Sequence, residues 1–111
     1  MKITIVAGAR PNFMKIAPLC RAMDAAREAG QDITYRVVYT GPENDPALEP
    51  SLFSDLDMKK PDAYLGVTGT DHSQVTADIM LAFEKELNAH PAQTVLVVDD
   101  MTATMSCAIV A

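Results

Sequence analysis

Apolar and polar positions along the 111-residue chain follow two different spacings, which predict strands that alternate with helices. Short runs of apolar or β-branched residues predict strands at residues 3–7, 33–40, 63–67 and 94–98. The last of these runs is apolar throughout, which favours a central position in the sheet. Strand and helix alternate four times, so we expect an α/β fold of the Rossmann-like kind. It would be a three-layer arrangement with a parallel sheet of about four strands between helices.

The predicted helices are recognised by apolar residues that recur every three or four positions. The first helix should begin at Pro11 and end before Gly30, and its apolar stripe consists of Ile16, Leu19, Cys20 and Met23. A short helix is predicted around residues 52–56. A long one should follow Asp71, whose side chain, together with Gln74, predicts a capping box. The last helix should start at Thr102.

The first strand, its turn and the following helix form the stretch with the clearest chemistry. The strand stops at Gly8, and Arg10 and Pro11 open the helix. Ligands of open α/β sheets bind at the carboxyl ends of strands, where helix N-termini attract anions. An arginine there adds a fork of donors that suits phosphate. The stretch therefore predicts an anion site, although a single glycine is also compatible with a simple chain reversal.

Two further strand ends should reach the same edge of the sheet, at residues 40–41 and 99–100. If the first and fourth strands are neighbours, Arg10, Lys15 and Asp100 converge at a topological switch point. Two cations and a carboxylate suit a phosphorylated substrate that also needs proton transfer. The alternatives are a solvated Lys15 and an acidic residue, Asp99 or Asp100, that only caps the last helix.

Composition narrows the class of protein. The net charge of −6 argues against nucleic acid or an anionic membrane as a partner. The sequence contains no run of transmembrane length and no recognisable signal peptide, so we expect a cytoplasmic protein. Cys20 and Cys107 are predicted to be buried and free, and His72 and His90 to lie at the surface. No metal site is predicted.

Residues 8–19 resemble the opening motif of the non-hydrolysing UDP-N-acetylglucosamine 2-epimerases, Gly-Thr-Arg-Pro-Glu-x-x-Lys-x-x-Pro-Leu. The similarity includes Pro18, an unusual residue inside a helix. Thr40 and Gly41 lie where that family has Thr-Gly-Gln-His, and residues 97–104 look like its Val-His-Gly-Asp-Thr-x-x-Thr. The resemblance covers about the first third of such an enzyme. The last helix is apolar and uncapped, so we expect residues 1–111 to be a partial N-terminal domain, without its remainder and without a second domain.

The resemblance implies the first part of a glycosyltransferase-B-type domain and a reaction at C2 of a UDP-linked N-acetylhexosamine. UDP would be eliminated to give a 2-acetamidoglucal and re-added with the opposite configuration. By position, Arg10 would contact the diphosphate, Lys15 would assist the charged leaving group or the sugar site, and Asp100 would transfer a proton. The substrate-binding residues would be Gly8, Arg10, Pro11, Thr40, Gly41 and Thr102. The resemblance implies no cofactor; we expect a homodimer, and a chain that is inactive by itself.

Several positions depart from the family's motifs. Asn12 replaces a glutamate, Pro42 and Glu43 replace Gln-His, and Val98, Asp99 and Met101 replace His, Gly and Thr. The charge of Asp99 should oppose diphosphate binding unless its side chain points away. These departures leave open a non-catalytic nucleotide or sugar-phosphate module, and a related glycosyltransferase-B-type enzyme. The acidic pair also resembles the magnesium-binding pair of receiver domains, but there it follows the first strand rather than the fourth.

Overall fold

The computed structural model describes residues 1–99 and 101–111, which form a parallel four-stranded sheet in the order β3-β2-β1-β4. Helices and strands follow one another along the chain as predicted. They are β1 (Lys2–Ala7), α1 (Arg10–Glu28), β2 (Thr34–Tyr39), α2 (Pro50–Asp55), β3 (Ala63–Tyr64), α3 (His72–Ala89), β4 (Thr94–Leu96) and α4 (Thr102–Val110).

The position of β1 between β2 and β4 organises the sheet. β1 pairs with β2 from Lys2 opposite Thr34 to Ala7 opposite Tyr39, and with β4 from Ile3 opposite Thr94. Every β1 residue from Ile3 to Ala7 is buried. This arrangement confirms that β1 and β4 are neighbours, so the turns that follow them lie at the same edge of the sheet.

Two apolar cores cover the two faces of the sheet, because successive side chains of a strand point to opposite faces. On one face, alternate β1 residues pack with α1 and α2 through Phe13 and Phe53, whose rings meet edge to face 5.2 Å apart. On the other face, Val6 packs against Phe83 of α3 and Cys107 of α4. The three-layer architecture is confirmed.

A central position was predicted for β4, and the described residues supply a neighbouring strand on one side of it. Within the described residues β4 pairs only with β1, lies at the edge of the sheet and is at most half-buried. The apolar run reflects helices on both faces of the sheet, and these cover an edge strand as well as a central one. The third strand is also shorter than predicted, because Gly66 turns the backbone at a φ of 73°.

The capping box predicted at α3 is only half present. The side chain of Asp71 accepts a hydrogen bond from the Ser73 N–H over 3.2 Å, as an N-cap should. Gln74 does not complete the box, since its amide donates to Asp78 one turn further along the helix. Cys20 and Cys107 are buried and His72 and His90 exposed, as predicted. Among the described residues, no helix is long and apolar enough to cross a membrane.

Candidate functional site

The turn between β1 and α1 is held by a side chain from inside the helix. Ala9, the residue that precedes α1, has no side-chain acceptor for the first N–H groups of the helix. The Oδ1 atom of Asn12 accepts from the N–H groups of Gly8 (2.8 Å) and Ala9 (3.2 Å). Asn12 is only 2% exposed. The N–H groups of Gly8 and Ala9 are therefore already engaged and are not free to bind an anion.

The same Asn12 side chain connects this turn to the one after β4. Its Nδ2 atom donates to Oδ2 of Asp99 over 2.7 Å, and the Lys15 ammonium donates to Oδ1 of the same carboxylate. The Asp99 side chain thus points toward the start of α1. Asp99 has a φ of 65°, a left-handed conformation that Asp adopts more readily than most residues. The structure places a negative charge beside Lys15.

A cavity of about 630 Å³ lies at the carboxyl ends of β1 and β2. Four of the predicted substrate-binding residues line it: Gly8, Thr40, Gly41 and Thr102. The remaining walls are formed by the end of β2 and the segment after it, the segment after β3, helix α3 and the start of α4, through Tyr39, Pro42, Asn44, Asp45, Pro46, Val67, Thr68, Val75, Ile79, Met101 and Ala103. The cavity occupies the place where ligands bind in open α/β sheets.

Gly8 is required by packing between β1 and α4. A Cβ atom at this position would lie 2.7 Å from the Cβ of Ala103, closer than non-bonded carbon atoms approach in proteins. Ala103 belongs to the first turn of α4 and is buried. The glycine therefore allows the start of α4 to approach the end of β1. This close contact brings Thr102 to the cavity.

The segment between β2 and α2 is fastened over the cavity by Tyr39. The Tyr39 hydroxyl donates to Oδ2 of Asp45 over 2.6 Å, and Oδ1 of Asp45 accepts from the Ala47 N–H over 2.9 Å. The hydrogen bond from Tyr39 is the largest effect that holds the pKa of Asp45 below its ordinary value. Burial, followed by the bond to Asp45, raises the pKa of Tyr39. Sequence reasoning missed both residues, because neither belongs to a motif.

The other predicted site residues lie outside the walls of this cavity. Arg10, Pro11 and Lys15 are exposed on the first turns of α1. The Arg10 guanidinium makes a long contact of 3.5 Å to the carbonyl oxygen of Ala47. Asp100 lies outside the described residues. No group of three His, Cys, Asp or Glu residues in 1–99 and 101–111 is placed to hold a metal ion.

The parallel sheet, its two helical layers and the cavity at the strand ends define an α/β domain of the Rossmann-like kind. Solved structures support this class. One from Methanocaldococcus jannaschii, a UDP-GlcNAc 2-epimerase in complex with UDP-GlcNAc and UDP, aligns with a TM-score of 0.85 at 24% identity, covering 99% of this chain and 29% of that one. A UDP-GlcNAc 2-epimerase from Neisseria meningitidis, bound to UDP-GlcNAc, aligns with a TM-score of 0.82 at 23% identity over 99% and 29%.

The chain belongs to the UDP-N-acetylglucosamine 2-epimerase family, whose model matches residues 25–111. A curated relative, the UDP-2,3-diacetamido-2,3-dideoxy-D-glucuronate 2-epimerase of Pseudomonas aeruginosa, is 30% identical over the whole chain. The chain spans 30% of that relative's length. The family expected from the motifs is thereby confirmed.

Proposed function

We propose that the chain supplies the first part of the active site of a UDP-sugar 2-epimerase, an isomerase that inverts C2 by eliminating UDP and adding it back. The observation that carries the proposal is the cavity at the carboxyl ends of β1 and β2, lined by Gly8, Thr40, Gly41 and Thr102. These residues lie in the three motifs that resemble the family. Membership of the family supports the reaction class.

In this proposal the nucleotide sugar extends from the cavity to the turns that follow β1 and β4. Arg10 binds the diphosphate, Pro11 sets the direction of α1 beside it, and Lys15 acts on the departing UDP or on the sugar. Asp100 transfers the proton at C2. Thr102 opens α4, and Met101 before it makes no capping hydrogen bond from its side chain, which leaves N–H donors toward the cavity.

UDP binding to the purified chain, measured by calorimetry, tests the placement of the nucleotide. We expect weak binding that the substitution Arg10→Ala abolishes. Arg21→Ala is the matched control, because Arg21 also projects from α1 and donates to a backbone carbonyl, that of Leu56. Equal losses in both variants, or no loss in Arg10→Ala, would contradict the assignment of Arg10 to the diphosphate.

We also propose that the chain alone does not interconvert UDP-GlcNAc and UDP-ManNAc. It covers 30% of the length of its relative, and the proposed substrate would lie between two domains. Conversion of either sugar by the purified 111-residue chain, monitored by chromatography of the two sugars, would overturn this statement.

The proposal also includes a cytoplasmic homodimer. Met105 and Ile109, two exposed apolar residues of α4, are its observable support, and sedimentation velocity tests it.

A non-catalytic nucleotide or sugar-phosphate module is the second candidate, favoured by one observation. Lys15, the proposed helper of the leaving group, is already paired with Asp99. A chimera separates the two candidates: this chain replaces the matching first part of the Pseudomonas aeruginosa relative. An active chimera supports the epimerase. A chimera that binds UDP but is inactive supports the module, because binding shows that it has folded.

A further inference from the structure

One carboxylate, that of Asp99, faces two donors from α1. Asn12 and Lys15 are three residues apart, so both side chains lie on the same face of the helix. Asn12 Nδ2 donates to Oδ2 and the Lys15 ammonium to Oδ1. The Asp99 side chain is 26% exposed and that of Lys15 is 61% exposed. Asp99 is therefore fixed by a buried amide, while its partner Lys15 stays accessible to a ligand.

This geometry weakens the ability of Lys15 to bind an anion. An anion that approaches the Lys15 ammonium must compete with a carboxylate that is already hydrogen-bonded to it. An anion bound to Lys15 would also lie close to the Asp99 carboxylate, and the two negative charges would repel each other. Because Asn12 holds Asp99 in place, Asp99 cannot simply rotate away from the arriving anion without losing a second hydrogen bond.

We propose that Asp99 is a specificity-determining residue that acts as a built-in counter-anion for Lys15. It directs this part of the site toward a neutral hydrogen-bonding group of the ligand, such as a hydroxyl or an amide, and against a phosphate-type anion beside Lys15. The inference rests on the proposed function, since it assumes that the ligand binds at the edge shared by β1 and β4.

The substitution Asp99→Asn removes the charge of the side chain but keeps its size and its hydrogen bond from Asn12. The oxygen of the amide introduced at position 99 still accepts from Asn12. The NH₂ group of the same amide then faces Lys15, so the hydrogen bond from the Lys15 ammonium is lost. Asparagine also tolerates a left-handed backbone. Asp57→Asn is the matched control, because Asp57 is exposed, has a φ of 53° and loses the same charge at the end of α2, with no hydrogen bond to Asn12 or Lys15.

The experiment measures the affinity for inorganic pyrophosphate at low ionic strength, where charge interactions are least screened. We expect Asp99→Asn to bind about two- to fivefold more tightly than the original chain. Asp57→Asn should bind like the original chain, and Lys15→Met should remove the gain from the double variant with Asp99→Asn. A gain that survives in this double variant, or an equal gain in Asp57→Asn, overturns the proposal, as does a lack of binding to Asp99→Asn.

A second variant keeps the proposal testable if Asp99→Asn does not fold. With Asp99 intact, Lys15→Met should change the pyrophosphate affinity less than about twofold, because the charge of Lys15 is already compensated. A larger loss would show that Lys15 is free to bind anions and would overturn the inference. A different result would contradict the proposed function itself, namely UDP binding that does not depend on Arg10.

Discussion

The amide of Asn12 and the carboxylate of Asp99 join the ends of two neighbouring strands across 87 positions of sequence. Asn12 accepts from the backbone at the end of β1 and donates over 2.7 Å to the residue that follows β4 by three positions. One side chain thus fixes both turns beside the proposed site. The motifs that this chain resembles have a glutamate at the place of Asn12 and a glycine at the place of Asp99, whereas this chain carries its negative charge after β4.

The substitution Asn12→Ala should lower the free energy of unfolding by about 1–3 kcal/mol. It leaves the N–H groups of Gly8 and Ala9 without their acceptor in a partly buried turn. Chemical denaturation measures the effect. Gln74→Ala is a suitable control, because Gln74 also makes a side-chain amide hydrogen bond on a helix, but at an exposed position. A loss for Asn12→Ala no larger than that of the control would contradict this account.

The double variant that exchanges the side chains of Asn12 and Asp99 should be more stable than the sum of the two single effects predicts. Asn12→Asp places a second carboxylate against Asp99 and should destabilise the chain. In the double variant with Asp99→Asn, the new amide at position 99 can donate back to the new carboxylate at position 12, which restores the bond in the reverse direction. We expect a favourable coupling of about 0.5–3 kcal/mol in a double-mutant cycle. Simple additivity of the two single losses would show that the contact carries no energy.

Gly8→Ala should destabilise the chain by about 1–3 kcal/mol through overpacking against α4. The added Cβ atom would lie 2.7 Å from the Cβ of Ala103. Ala103→Gly alone should cost about 1 kcal/mol, the usual effect of glycine in a helix. The double variant should be no less stable than Ala103→Gly alone, because the clash has gone. If Gly8→Ala costs as much in that background as in the original chain, contact with Ala103 is not the reason for the glycine.

The bond between Tyr39 and Asp45 should stabilise the chain over a defined pH range. The pKa of Asp45 is lowered, so its contribution is present above the ordinary value of 3.8 and is lost as the pH falls through the folded-state pKa. The pKa of Tyr39 is raised, so its contribution is present below 10.0 and is lost as the pH rises through its folded-state pKa.

Tyr39→Phe should therefore raise the pKa of Asp45 toward its ordinary value, which NMR titration of the carboxylate measures directly. The stability difference between Tyr39→Phe and the original chain should shrink on acidification below pH 3.8. Tyr35→Phe is the control, since the Tyr35 hydroxyl donates to Asp24 instead. An unchanged pKa of Asp45 in Tyr39→Phe would exclude the hydrogen bond as the cause of the shift.

The Cys107 thiol should react slowly with a thiol reagent in the folded chain. Burial raises the pKa of Cys107 to about 12, and its side chain is inaccessible. The thiolate is the reactive form, so both effects suppress the reaction. We expect fast labelling only after denaturation, measured by absorbance at about pH 8, near the ordinary pKa of a thiol. Met105→Cys supplies an exposed thiol on the same helix, which should react at once. Equal rates for Cys107 and this thiol would contradict the packing of α4.

The order of strands and helices followed directly from local pattern, because apolar spacing reflects which face of an element meets the core. The same pattern does not identify the neighbours of β4, since an apolar run indicates helices above and below a strand but not the strands beside it. It also suggested a complete capping box at Asp71. The choice of Gln74 between a backbone N–H and the neighbouring Asp78 depends on side-chain geometry, which the sequence does not specify.

By itself the sequence determined the α/β class, the strand–turn–helix at Gly8 and the motifs of the UDP-N-acetylglucosamine 2-epimerase family, because these depend on residues close together in the chain. Only the tertiary structure decided that Asp99 faces Asn12 and Lys15, and that Tyr39 fastens the segment carrying Asp45. The sheet order determines which strand ends meet, and that order arises from contacts between distant segments. A charge such as that of Asp99 acquires its role only from the groups that the fold brings to it.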